Sequence, residues 1–157
     1  MIFISHRGNI NSISHELENT PDYIDAAISQ GYEVEIDIWK IKDEIFLGHD
    51  GPETPVELKW LDERKKNLWI HTKNQQALEC FTELKSGFKF FWHTVEPFVL
   101  TSNCIIWAHD YEDIKEEQTC IVPLLTLKQV EKAKIRNWYA ICTDFPEQCK
   151  LKWNTEE

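Results

Sequence analysis

Four polar clusters stand out in the first half of the chain: His6-Arg7, Glu35 with Asp37, His49, and His71 with Lys73. Two acids at i and i+2 of a strand present their oxygens on one face, the donor type that hard divalent cations take. An arginine and a lysine can hold a phosphate whose charge a metal also shares. Two histidines add an acid and a base that work near neutral pH. Together these residue types fit cleavage of a phosphodiester.

The elements that must carry them alternate between strand and helix. Ile2-Phe3-Ile4 is a short apolar run, ended by Gly8-Asn9, and delivers His6 and Arg7 at the carboxyl end of a strand. Thr20 before Pro21 starts a helix with Ile24, Ala27 and Ile28 on one face and Gly31 as its stop. From Tyr32 to Ile41 the alternation puts Val34, Ile36 and Ile38 on one face and Glu33, Glu35 and Asp37 on the other. A turn at Lys42-Asp43-Glu44 leads into the strand Ile45-Phe46-Leu47, which ends at Gly48-His49-Asp50. Thr54 to Glu57 has capping-box spacing and predicts a helix carrying Leu58 and Leu61 inward. Leu68-Trp69-Ile70 predicts the next strand, with His71 and Lys73 on one face, and Asn74 caps a helix closed by Gly87. Further strands are expected at Phe88 to Trp92, Cys104 to Trp107, Cys120 to Leu125 and Tyr139 to Thr143, with a helix starting at Thr126. Mostly parallel pairing follows from this order, and in such a fold catalytic groups sit at the carboxyl ends of strands.

Composition narrows the options. A chain of 157 residues that is 42% hydrophobic can bury a core, and we expect one domain over 1–157 with a frayed end from about Lys152. No apolar run has the length of a bilayer span, and Met1 to Ser5 lacks a signal-peptide pattern, so the mature chain is expected to start here. With 17 basic against 27 acidic residues the net charge is -10, which repels nucleic acid and anionic membranes. The expected partner is a small phosphodiester substrate, with no nucleic acid and no stable membrane insertion. The five cysteines have no C-x-x-C spacing and fit a reduced, cytoplasmic setting.

His6-Arg7-Gly8, Glu18-Asn19-Thr20, Glu35-Ile36-Asp37 and Gly48-His49-Asp50, in this order, resemble the glycerophosphodiester phosphodiesterase family. The likeness covers the first third of the chain, with weaker echoes at Ile70 to Lys73 and at Thr143-Asp144-Phe145-Pro146. It implies a TIM-type β/α barrel and metal-dependent hydrolysis, with links to lipid metabolism. By this resemblance His6 is the base and His49 the acid, Glu35 and Asp37 are metal ligands, Arg7 contacts phosphate, and Glu18 and Asn19 belong to the site. His71 stands where the family has a third metal carboxylate, two residues before its lysine, here Lys73. Glu35, Asp37 and His71 are therefore expected to converge on one divalent ion, Mg²⁺ first, with Mn²⁺ or Ca²⁺ as alternatives. This barrel usually has about 250 residues and has a lower bound near 200, so 157 residues imply a compact form reduced in its second half.

Taken singly, the same residues have structural readings. Glu35 and Asp37 fit the exposed face of an edge strand, His49 a turn, His71 a satisfied core histidine, and Lys73 a solvated helix start. Their placement together at strand ends turns the reading towards a site. Glu18 and Asn19 also fit a role in ordering the helix start. His15 reads as surface. His93, after Phe90-Phe91-Trp92, can enter from the fourth strand or remain structural, and is left outside the core set. Trp92 and Trp107 can stack on a ligand or fill the core. No role follows for His109-Asp110, and Glu112 to Glu117 reads as a solvated acidic run. Two alternatives to a glycerophosphodiesterase remain: a phospholipase acting on a lysophospholipid or sphingolipid headgroup, and a non-catalytic module that binds phosphate and metal.

Overall fold

Period-two patterning governs the first half of the computed structural model, which describes residues 1–84, 87–111, 114, 119–134 and 137–154. Strand β1 (Ile2–His6) is followed by α1 (Pro21–Ser29), β2 (Glu33–Ile41), β3 (Glu44–Leu47), β4 (Thr54–Val56), α2 (Leu58–Arg64), β5 (Leu68–Thr72) and α3 (Gln75–Leu84). The second half continues with β6 (Lys89–Phe91), β7 (Phe98–Leu100), β8 (Ile106–Ala108), β9 (Ile121–Pro123), α4 (Leu127–Lys132), β10 (Ala140–Thr143) and α5 (Pro146–Asn154). The ten strands among the described residues belong to one sheet, ordered β4-β3-β2-β1-β10-β9-β8-β7, with β5 added on β2 and β6 on β5. Pairing is parallel from β6 through β5, β2, β1, β10 and β9 to β8, while β3, β4 and β7 join antiparallel.

The expected TIM-type barrel is not formed: the sheet is open. Among the described residues no strand pairing joins β6 to β7 or β8. Closing a parallel barrel requires a crossover helix between successive strands, and a parallel crossover takes a dozen residues or more. Between β6 and β8 this chain instead places β7, which runs against β8 in a hairpin. The two arms of the sheet touch through isolated contacts, among them Ser102 N donating to Phe90 O at 2.8 Å and the Phe91 ring stacked on Trp107 at 4.3 Å.

The helices cover one face. Val34, Ile36 and Ile38 of β2 and Leu68 and Ile70 of β5 pack with Ile24 and Ala27 of α1, Leu61 of α2, and Ala77 and Phe81 of α3. Phe3, Val122, Leu124 and Ile141 pack with Val130 of α4 and with Cys149 and Trp153 of α5. The opposite face has its own apolar floor of Ile4, Trp69, Phe91, Trp107, Ile121, Ala140 and Cys142, to which no helix among the described residues contributes. Register carries the polar residues onto that helix-free face, because His6 pairs with Glu35 and Asp37 with His71.

Helix-start signals divide in the structure. The Thr126 capping box is present, with Thr126 Oγ1 accepting from Gln129 N at 3.2 Å, and Asn74 Oδ1 accepts from Ala77 N at 3.0 Å. Thr20 holds the N-cap position, but its hydroxyl donates to Leu17 O at 2.7 Å and caps nothing. The capping box expected at Thr54 is replaced by β4, because Thr54, Pro55 and Val56 pair with Leu47, Phe46 and Ile45; α2 starts only at Leu58. Proline is tolerated there because β4 is an edge strand. α5 extends to Asn154, and residues 155–157 of the end expected to fray lie outside the described residues. The acidic run Glu112 to Glu117 lies outside the described residues except for Ile114, which is buried. No helix among the described residues is long and apolar enough to cross a membrane.

Candidate functional site

A pocket of about 420 Å³ opens at the carboxyl ends of the parallel strands, lined on one side by His6, Arg7, Glu35, His49, His71 and Lys73. Each strand delivers its residue by a simple device. β1 stops after His6, and Arg7 and Gly8 turn the chain with φ 55 and 93. Asn9 N closes this turn on His6 O at 3.0 Å. Glu35 and Asp37 stand on the helix-free face of β2 and are 3% and 1% exposed. His49 leaves the end of β3 beyond Gly48, whose φ of 148 admits no ordinary side chain. His71 lies one residue before the end of β5, on the face of Asp37, and Lys73 just past the strand donates its N–H to Ile38 O at 2.8 Å.

Asp37 is the hub. Arg7 Nε lies 3.0 Å from its Oδ2 and His49 Nδ1 3.2 Å from the same oxygen, while His71 Nδ1 lies 3.0 Å and Lys73 Nζ 3.4 Å from Oδ1. Burial alone would raise its pKa, but hydrogen bonds from His49 and His71 and the charges of Arg7 and His71 hold it well below the carboxylate range. Glu35 goes the other way: burial and the neighbouring Asp37 charge raise its pKa. Its Oε2 is buried without a hydrogen-bond partner, 3.9 Å from His6 Nε2.

Both catalytic candidates lean on a carboxylate. His6 Nδ1 is 2.8 Å from Asp144 Oδ1, and His49 Nδ1 faces Asp37. Burial by itself would lower the pKa of His6; the hydrogen bond to Asp144 and the Glu35 and Asp144 charges outweigh it and raise the value. Arg7 Nη2 donates to His49 Nε2 at 3.3 Å. Arginine has no acceptor, so in this arrangement the His49 proton sits on Nδ1, towards Asp37.

The structure thus brings His6, Arg7, Glu35, Asp37, His49, His71 and Lys73 together, and places Glu18 and Asn19 behind them. Asn19 Nδ2 donates to Asp37 Oδ2 at 3.0 Å and its Oδ1 accepts from Asp37 N at 3.0 Å, so it clamps the aspartate. Glu18 accepts from Arg7 Nη1 at 3.4 Å and from Asn9 Nδ2 at 2.7 Å. Neither lines the pocket. His15 is exposed at the surface, its Nδ1 3.5 Å from Glu18 Oε2.

Four further residues have places that sequence reading left without a role. Asn9 Nδ2 donates to Asp144 Oδ1 at 2.8 Å, which ties the first loop to the last one. Thr143-Asp144 was legible as a motif, but its place beside His6 follows only from the pairing of β10 with β1. His93 and His109 line the far side of the pocket with Phe91, Trp92, Trp107, Pro123 and Leu125; His93 Nε2 and His109 Nδ1 are 2.7 Å apart. Their proximity depends on the β7–β8 hairpin, for which no local pattern speaks.

Glu35, Asp37 and His71 each offer a ligand atom, and these atoms lie within 4.8 Å of one another. The unpartnered Glu35 Oε2 and the oxygen–nitrogen donor set fit a divalent ion. Neither the known family models nor the curated proteins contain a match to this chain.

Proposed function

We propose that the protein is a metal-dependent phosphodiesterase acting on a small phosphodiester such as a glycerophosphodiester. The observation that carries this reading is the convergence, in one pocket, of two carboxylate-backed histidines with Arg7, Lys73 and a buried acid pair. The resemblance of the four short motifs to the glycerophosphodiester phosphodiesterase family supports the same reading.

Arg7 and Lys73 supply the charge that holds the phosphate against the Asp37 side of the pocket. His6, with Nδ1 towards Asp144, keeps Nε2 free to take the proton of an attacking hydroxyl, from water or from the substrate itself. As the new O–P bond forms and the bond to the leaving oxygen breaks, that oxygen takes a proton from His49, which as an imidazolium keeps Nδ1–H on Asp37 and gives up its Nε2 proton once Arg7 has turned from Nε2 to the phosphate. Two proton transfers thus balance the displacement without a charged alkoxide. Glu35, Asp37 and His71 would hold the divalent ion, which when bound neutralises phosphoryl charge. A reducing, cytoplasmic setting is compatible with five cysteines that lack C-x-x-C spacing.

The test is hydrolysis of glycerophosphocholine and bis(p-nitrophenyl) phosphate by the folded protein with Mg²⁺ or Mn²⁺, with and without chelator. We expect turnover that chelation abolishes and that His6→Ala reduces. Metal-dependent phosphate binding without cleavage of any diester would replace this reading by the non-catalytic module.

A further inference from the structure

The nitrogen donor of the acid pair is pre-set. His71 Nε2 lies 3.1 Å from the backbone carbonyl of His93. A carbonyl can only accept, so Nε2 keeps its proton, and Nδ1, which donates to Asp37 Oδ1 at 3.0 Å and lies 3.9 Å from Glu35 Oε1, is the nitrogen whose lone pair turns to an ion when its proton leaves. The ring is fixed on its flank as well, stacked on Phe91 at 5.1 Å with an interplanar angle of 3°. Phe91 is in turn held by Trp107. The bond at Nε2 and the Phe91 stack together hold the imidazole in this orientation beside the acids.

The oxygen side is poor for a hard ion. Asp37 Oδ2 is already engaged by Asn19, His49 and Arg7. Arg7 and Lys73 both pair with Asp37, so the attraction of that carboxylate for a cation is offset. Ca²⁺ requires six to eight oxygens, and Mg²⁺ holds its waters and prefers carboxylates and phosphates. An imidazole nitrogen instead adds bonding that rises along the first transition row.

From this we infer that the Glu35–Asp37–His71 site selects a first-row transition ion, in the series from Mn²⁺ to Zn²⁺, over Mg²⁺ and Ca²⁺. The inference shares its metal seat with the phosphodiesterase reading but does not depend on turnover. Buried Glu35 Oε2, which has no hydrogen-bond partner, is the oxygen left to complete the set.

The test uses the full chain stripped by chelator and titrated with Mg²⁺, Ca²⁺, Mn²⁺, Co²⁺ and Zn²⁺ in a calorimeter. One equivalent of Co²⁺ or Zn²⁺ is expected to bind on the order of 100-fold tighter than Mg²⁺. In the Co²⁺ protein, proton NMR should show a shifted, solvent-exchangeable Nε2–H of a metal-bound imidazole. His71→Glu should remove that signal and narrow the Co²⁺ to Mg²⁺ ratio about tenfold or more. Mg²⁺ binding as tight as Co²⁺ in the unaltered protein overturns the inference, even if the variant does not fold. So does a Co²⁺ signal that survives His71→Glu and is lost in His109→Asn, which would assign the ion to the His93–His109 pair. Tight Co²⁺ binding with no diester cleavage upholds this inference and removes the proposed activity; cleavage with Mg²⁺ bound as tightly as Co²⁺ does the reverse.

Discussion

His6 Nδ1 and Asp144 Oδ1 lie 2.8 Å apart across 138 residues of sequence. The contact exists because β10 pairs with β1 in parallel as far as Ser5 and Thr143, so the next residues on the two chain segments, His6 and Asp144, become neighbours. Asp144 orients the imidazole and raises its pKa. Asp144→Asn should therefore lower kcat/KM by about 10² to 10⁴. Because the base must be unprotonated, the acid limb of the pH profile should also move to lower pH. A loss of rate with an unmoved acid limb would show that Asp144 holds the loop and does not act on His6.

The two histidines should separate by leaving group. A poor leaving alkoxide needs a proton from the acid, whereas p-nitrophenolate departs without one. His49→Ala is expected to lose far more activity on a glycerophosphodiester than on bis(p-nitrophenyl) phosphate. His6→Ala should lose about 10²- to 10⁴-fold on both. The comparison requires conditions in which chemistry limits the rate. The opposite pattern exchanges the roles; full activity in both variants removes the mechanism.

The site was legible where a single strand carries it, and illegible where two distant strands share it. Glu35 and Asp37 could be placed on one face because β2 alternates strictly, with Val34, Ile36 and Ile38 packed under the helices. Asp144 beside His6, and His93 beside His109, needed the order of the strands, which local pattern does not contain. The open sheet was hidden for a related reason. β6, β7 and β8 are three residues each, too short for periodicity to show that β7 runs against its neighbour. At Thr54 to Glu57 the same letters serve as helix cap and as β-branched edge strand, and pairing with β3 decided between them. α5 lacked a clear apolar stripe, although Pro146 marked its first turn.

His93 gives the fold a pH dependence. Burial first, then the positive fields of His109, His71 and Lys73 against the opposing Glu96, lower its pKa from 6.5 to about 4. The unfolded chain therefore takes up this proton first as the pH falls, and stability is lost between pH 6.5 and 4. His93→Asn should flatten that loss when both proteins are unfolded in urea with chelator present. One proton corresponds to at most about 1.4 kcal/mol per pH unit, reduced by solvent screening at the pocket rim. Equal slopes in the two proteins would mean that His93 titrates normally in the folded state.

Gly8 is the position at which the loop beyond β1 is least replaceable. Its φ of 93 disfavours any side chain, and a Cβ there would lie 2.8 Å from Tyr23 Cδ1 and 3.2 Å from the Tyr23 carbonyl carbon. Relief would have to come from α1 or from the loop. Tyr23 Oη donates to Asn9 Oδ1 at 3.2 Å, so a shift in either would disturb the Asn9 contacts to Glu18 and Asp144. Gly31 provides the internal comparison, with φ 87 but nothing within 4 Å of an added Cβ. Gly31→Ala should cost only the backbone strain, about 1 to 2 kcal/mol. Gly8→Ala should cost about 1 to 3 kcal/mol more and depress kcat/KM as well, because the turn also sets Arg7. Urea unfolding of the two variants measures the difference; equal costs would mean that α1 yields freely and that the close approach of Gly8 to Tyr23 does not hold the site.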